Sequence, residues 1–178
     1  MPRLNEVEPE EATGETAEIY DAVKQKYGSI PNLLKGLANS PAALKAYLGI
    51  GEAMEGAALT EAEQHVVYLV ASQNNQCSYC ISAHSYLAEQ SGLSGDEVME
   101  VRQGMPDEPR RRALVRFARA VIAEKGFVSD EQLREFRKAG YGDAHAAEVC
   151  AVIAQSTLSN FFNHVHETEL DFPRAPGL

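Results

Sequence analysis

Residues 59–84 read LTEAEQHVVYLVASQNNQCSYCISAH, and this stretch decides the fold. Thr60-Glu61-Ala62-Glu63 is a capping box, in which the hydroxyl and the carboxylate satisfy each other's backbone amides, so a helix starts there and runs to about Asn74. Asn74-Asn75-Gln76 is a polar break. A second helix is expected from about Cys77 to Gln90, closed by Gly92. So short a break makes the two helices an antiparallel hairpin.

The same grammar extends in both directions. Upstream, a helix is expected from about Glu10 to Tyr27, ended by Gly28, with a short one over Leu33, Leu34 and Leu37. Ser40-Pro41 caps the next, whose second half is weakened by Gly49 and Gly51. Downstream, Ser94 with Glu97 and Ser129 with Gln132 are two more capping boxes, and Asp107 or Glu108 opens a helix carrying Leu114, Phe117, Val121 and Ile122. Asp143 is expected to cap a last long helix through Val149, Cys150, Ile153, Leu158, Phe161 and Val165. The tail, from about residue 167, has two prolines and reads as extended. Runs of β-branched residues alternating with period two are missing, so the expectation is an all-α bundle of roughly eight helices. Its 178 residues suit a single domain over residues 1–178.

Composition narrows the function. With 44% apolar residues the chain can bury a sizeable core without disulfide staples. Sixteen Lys and Arg stand against 26 Asp and Glu, a net charge of −10. Phosphate backbones and anionic lipid surfaces attract basic clusters, so neither nucleic acid nor a membrane is expected as partner. The N-terminus is acidic and polar, unlike a secretory signal, and no apolar run reaches the ~18–20 residues of a membrane span. A cytoplasmic protein is expected. Three cysteines, an odd number, do not make a secreted disulfide framework.

Two of those cysteines carry the chemistry. Cys77, Cys80 and His84 fall on one face of a helix that begins near Cys77. A thiolate is favoured at a helix N-terminus, and a histidine one turn away can take the thiol proton. A second thiol can close a disulfide on a sulfenic acid or a mixed disulfide. These are the parts of a thiol oxidoreductase. The thioredoxin fold needs a βαβ setting that this sequence lacks, and a zinc site would need two further ligands, for which only His164 and His166 stand close together. No metal and no other cofactor is called for.

The Cys-x-x-Cys-x-x-x-His core on its amphipathic hairpin resembles the AhpD-like, carboxymuconolactone decarboxylase superfamily. YGSIPNLLKGLANSPAALKAY upstream and Asn160–Phe172 downstream are similar to its peroxidase-related branch, so the resemblance runs from about Tyr20 to Phe172. It implies an AhpD-like bundle of antiparallel helical hairpins, assembled as a homotrimer or hexamer. It implies reduction of a hydroperoxide or small disulfide, with an external dithiol or a peroxiredoxin as redox partner. By the resemblance, Cys80 becomes the sulfenic acid, Cys77 closes the disulfide and His84 relays protons.

One position departs from that pattern. The peroxidase members place Glu twelve residues before the first cysteine, where this chain has His65. At 1.5 Å per residue, His65 lies ~15 Å back from the hairpin turn and His84 ~13 Å forward, so the two can face each other. His65 can pass a proton but supplies no permanent negative charge, which bears on peroxide reduction more than on disulfide exchange. Glu63 is a substitute carboxylate but already has a place in the capping box. Cys150, on the apolar stripe of the last helix, is expected to be a buried structural residue. Two other functions compete: a cofactor-free decarboxylase on a muconolactone-like acid, and a non-enzymatic module whose disulfide state controls assembly.

Overall fold

The computed structural model describes residues 1–178. Nine helices follow one another: α1 (Gly14–Tyr27), α2 (Asn32–Leu37), α3 (Pro41–Ala53), α4 (Glu61–Asn74), α5 (Ser78–Gln90), α6 (Gly95–Gln103), α7 (Pro109–Ala123), α8 (Asp130–Lys138) and α9 (Asp143–His166). The fold is all-α, as expected, with one helix more than the rough count. No helix is long and apolar enough to cross a membrane.

Local chemistry sets most helix starts. The capping boxes Thr60/Glu63, Ser94/Glu97 and Ser129/Gln132 are all closed in both directions. Ser40 accepts from the Ala43 amide at 3.3 Å, and Glu108 accepts from the Arg110 amide at 2.8 Å. Each such cap contributes about 1 kcal/mol.

Three boundaries differ from the sequence reading. α1 begins at Gly14 rather than near Glu10. Residues 8–12 form an isolated turn on the Glu8 carbonyl, and Gly14 at φ +55° separates it from the helix. Asp143 is the first residue of α9 rather than its cap. The Gly142 amide donates to His145 Nδ1 at 2.9 Å, and Asp143 pairs with Arg137 at 2.7 Å. α3 runs through both glycines to Ala53 because it lies close against α9. A Cβ on Gly51 would come within 3.1 Å of the Gln155 amide, which donates to the Tyr47 carbonyl at 2.9 Å.

Two apolar clusters fill the interior. The larger joins Val66, Val67, Leu69 and Val70 of α4 to Leu114, Val115 and Ala118 of α7 and to Val149 and Val152 of α9. Phe117, Phe136 and Tyr141 stack in series along it, with centroids 4.1 and 4.5 Å apart. α4 is buried at every position from His65 to Ser72, so it is the central helix, packed by α5, α7 and α9. The smaller cluster gathers Tyr20 and Val23 of α1, Leu33, Leu34 and Leu37 of α2 and Leu44 of α3 over Cys77, Tyr79, Cys80 and Ala83. The first three helices thus form an apolar cover on the N-terminal end of α5.

Candidate active site

The α4–α5 turn places the cysteines. Gln76 takes a positive φ of 58°, and the Cys77 amide then donates back to the Ser72 carbonyl at 3.0 Å. Cys77 is left as the N-cap of α5, its sulfur accepting from the Cys80 amide at 3.2 Å. One turn of helix brings the two Cα atoms to 5.3 Å, and the sulfurs are joined as a disulfide. Both cysteines are buried, while Ser78 between them is exposed.

His65 from α4 and His84 from α5 meet one helical turn beyond Cys80. Their Nδ1 atoms are 3.2 Å apart and both rings are buried. Tyr68, one turn along from His65, stacks flat on His84 with centroids 4.2 Å apart. The Tyr68 hydroxyl donates to Gln155 on α9, which holds the stack in place. Burial pushes the His65 pKa down to about 4. Burial, and then the neighbouring His65, hold His84 well below the usual imidazole range. Near neutral pH, therefore, one Nδ1 carries hydrogen and the other accepts it. The exposed Glu61 carboxylate lies 4.0 Å from His65 Nε2.

All four residues singled out from the sequence, Cys77, Cys80, His84 and His65, are thus in one place. Glu63 is not among them. It accepts from Thr60, from Tyr141 at 3.0 Å and from Arg110 at 3.0 Å. Burial alone would raise its pKa, but these hydrogen bonds outweigh burial and hold the carboxyl below its usual range. Cys150 is corrected: it is exposed, because its face of α9 turns away from both clusters. No group of three or more His, Cys, Asp or Glu side chains is arranged to hold a metal ion.

Sequence reasoning missed Asn163. Its side-chain amide donates to Cys80 Sγ at 3.2 Å and lies 3.9 Å from Cys77 Sγ. The available signal was a polar stripe at helical spacing on a mostly apolar helix: Gln155, Ser156, Ser159, Asn160 and Asn163 are all buried. The C-terminal tail was also missed as part of the site. Asp171 caps the Asn32 amide at 2.7 Å, Phe172 sets its ring edge-on to Tyr79, and the Ala175 amide donates to Ser82 at 3.1 Å. Tyr79 is therefore a packed residue, its hydroxyl accepting from the Leu33 amide at 3.4 Å.

Residues 41–105 match the family model of the carboxymuconolactone decarboxylase family. The fold is shared with the alkylhydroperoxidase AhpD core, an uncharacterized peroxidase-related protein from Ralstonia eutropha JMP134. That likeness has a TM-score of 0.87 at 24% identity over 96% of this chain and 92% of that one. The family match is confined to residues 41–105, and over the rest of the chain the likeness to the AhpD core is one of fold.

The same fold is found in proteins named for different activities. A cysteine-to-alanine variant of the debrominase Bmp8, in complex with 2,3,4-tribromopyrrole, superposes with a TM-score of 0.78. Its identity is 20%, over 95% of this chain and 91% of that one. A protein of unknown function from Agrobacterium tumefaciens, a putative antioxidant defence protein AhpD, aligns with a TM-score of 0.67. It is 23% identical over 76% of this chain and 95% of its own. No curated protein matches the chain. The segment matched by the superfamily model contains His65, Cys77, Cys80 and His84, whereas Asn163 lies beyond it.

Proposed function

We propose that the protein is a thiol-dependent peroxidase and disulfide oxidoreductase of the peroxidase-related branch. The observation that carries this reading is the Cys77–Cys80 disulfide at the N-terminus of α5, set beside the buried His65–His84 pair. A decarboxylase has no use for a dithiol that opens and closes.

The cycle starts from the reduced pair. Cys80 gives its proton towards His84, and the thiolate attacks the terminal oxygen of a hydroperoxide. An S–O bond forms as the O–O bond breaks. The alcohol leaves with the proton and Cys80 is left as sulfenic acid. The Cys77 thiolate then attacks the Cys80 sulfur, forming the disulfide and releasing water. An external dithiol exchanges with the disulfide, is itself oxidised to a disulfide and returns both thiols; with a peroxiredoxin as partner, the reduced pair instead passes its two electrons to the peroxiredoxin disulfide. Cys80 takes the first role by resemblance. Cys77, as N-cap, leaves well as a thiolate stabilised by the α5 amides. The cycle needs a reducing compartment, which fits the cytoplasm.

The working form is a homo-oligomer. α9 presents an exposed line of Ala154, Leu158, Phe161 and Val165, with Phe161 57% and Val165 55% exposed. A continuous apolar line of this kind marks an association surface.

The test is a stopped-flow titration of reduced protein with hydrogen peroxide and an organic hydroperoxide, counting thiols before and after. Loss of two thiols per chain, abolished in Cys80→Ser, is the expected result. Full turnover in Cys80→Ser with every peroxide and disulfide tried, or lactone turnover that survives alkylation of both thiols, would overturn the proposal.

A further inference from the structure

We propose that Asn163 is a catalytic residue: its side-chain amide donates to the Cys80 sulfur and stabilises it as a thiolate in the reduced protein. The inference rests on the dithiol reading above and adds the group that makes Cys80 ionise in an unfavourable place.

That place is apolar. Cys77 and Cys80 are buried against Tyr20, Leu33, Leu37 and Leu44. Such surroundings raise a thiol's pKa. The ionisable side chains of this region include Tyr20 on α1, Tyr47 on α3, His65 and Tyr68 on α4, Tyr79 and His84 on α5, and Asp171 of the tail beside Tyr79. The four tyrosines are uncharged near neutral pH and burial raises them further, while burial lowers His65 and His84 and keeps them neutral there. On this side α9 adds Ser156, Ser159, Asn160 and Asn163, which carry no charge, and His166, whose Nε2 meets the Glu6 carboxylate at 3.2 Å. A negative sulfur here must be met by dipoles.

Two donors reach the sulfurs, and they are divided between them. The Cys80 amide, at the N-terminus of α5, donates to Cys77 Sγ at 3.2 Å. The Asn163 amide donates to Cys80 Sγ at 3.2 Å and is 0.7 Å farther from Cys77, at 3.9 Å. The helix N-terminus thus serves the N-cap sulfur, and Asn163 serves the other. When the disulfide opens, each sulfur that takes back an electron pair has a donor of its own.

The amide is held in the donating orientation. Thr168 donates its hydroxyl to Asn163 Oδ1 at 2.6 Å, which leaves the NH2 group facing the sulfur. Glu167 at φ +54° turns the chain so that Thr168 folds back, and the Thr168 amide closes on the Asn163 carbonyl at 3.3 Å. Flipping the amide would set an oxygen lone pair against the thiolate.

The experiment is site-resolved alkylation of the reduced protein with iodoacetamide, followed by mass spectrometry across a pH series. It compares wild type with Asn163→Ala, Asn163→Asp and Thr168→Val. A hydrogen bond to a charged group is the interaction removed, so Asn163→Ala is expected to raise the apparent pKa of Cys80 by about one unit, with Cys77 moving less. Where that pKa lies above the working pH, this is about a tenfold loss of Cys80 thiolate. Asn163→Asp should raise the Cys80 pKa further, because a carboxylate opposes the thiolate. Thr168→Val, a substitution of similar volume, should shift it in the same direction by less and decides the matter if Asn163→Ala does not fold. An unmoved Cys80 titration in the folded variants overturns the proposal. Thiol loss to peroxide and to small disulfides is followed separately in wild type. Its absence would remove the oxidoreductase reading, while a shifted Cys80 titration would still support the donor.

Discussion

His65 and His84 share a hydrogen bond, Nδ1 to Nδ1 at 3.2 Å, inside the α4–α5 hairpin. The peroxidase members that the sequence resembles put a carboxylate opposite the histidine that His84 matches. Here a neutral ring occupies that position, so an imidazolium forming at His84 gains no ion pair. His65→Glu restores the charge. An opposite charge within ~4–6 Å raises a histidine's pKa by about 1–3 units. The variant should therefore react with hydroperoxide about tenfold faster or more, with exchange against a small disulfide little changed. Stopped-flow thiol loss reads both rates. An unchanged peroxide rate in a folded variant would show that the relay charge is irrelevant in this chain.

The same pair makes stability depend on pH. His65 has an ordinary pKa of 6.5 when unfolded and about 4 when folded. The unfolded chain therefore binds more protons between those values. The contribution is complete above about pH 6.5 and lost as pH falls towards 4, by on the order of 3 kcal/mol. His65→Gln cannot titrate. The difference in urea-unfolding free energy between wild type and this variant should shrink from pH 7 to pH 4, and a difference independent of pH would refute the argument.

The fold was legible in the sequence because its punctuation is local. Capping boxes at Thr60, Ser94 and Ser129, the proline after Ser40 and the glycine after Tyr27 act within a few residues, and each stands where the reading put it. Cys77, Cys80 and His84 were legible for the same reason, since one helical turn relates them. His65 needed only the hairpin register. Asn163 was not legible, because its contact spans 83 residues and depends on how α9 crosses α5. Cys150 was misplaced for a related reason. Periodicity shows that α9 has an apolar stripe but not which face the core occupies, and the stripe through Leu158 and Phe161 faces outward while the polar stripe faces in.

Glu63 separates structure from chemistry. It bonds Thr60, Arg110 and Tyr141, and Arg110 in turn stacks its guanidinium 4.0 Å from the Tyr141 ring centre. Glu63→Ala removes the cap's return bond and leaves the Tyr141 hydroxyl without its partner. The expected cost is about 2–3 kcal/mol. Thermal unfolding should show this, while thiol loss to peroxide per folded molecule stays as in wild type. A fall in that rate at intact stability would return Glu63 to the proton relay.

Phe161 tests the assembly. It is 57% exposed on α9, between Leu158 at 37% and Val165 at 55%. Burying such a ring against a second copy is worth about 1.5–3 kcal/mol. Phe161→Glu forfeits that and adds a carboxylate to a chain already at −10, so copies would also repel. Association should weaken by more than about tenfold. Light scattering after gel filtration should then find smaller species than in wild type at equal concentration. The two clusters that form the fold do not include Phe161, so melting of the isolated chain should be nearly unaffected. A wild type that is already monomeric would overturn the assembly, and an unchanged mass for Phe161→Glu in an oligomer would move the association surface off this face of α9.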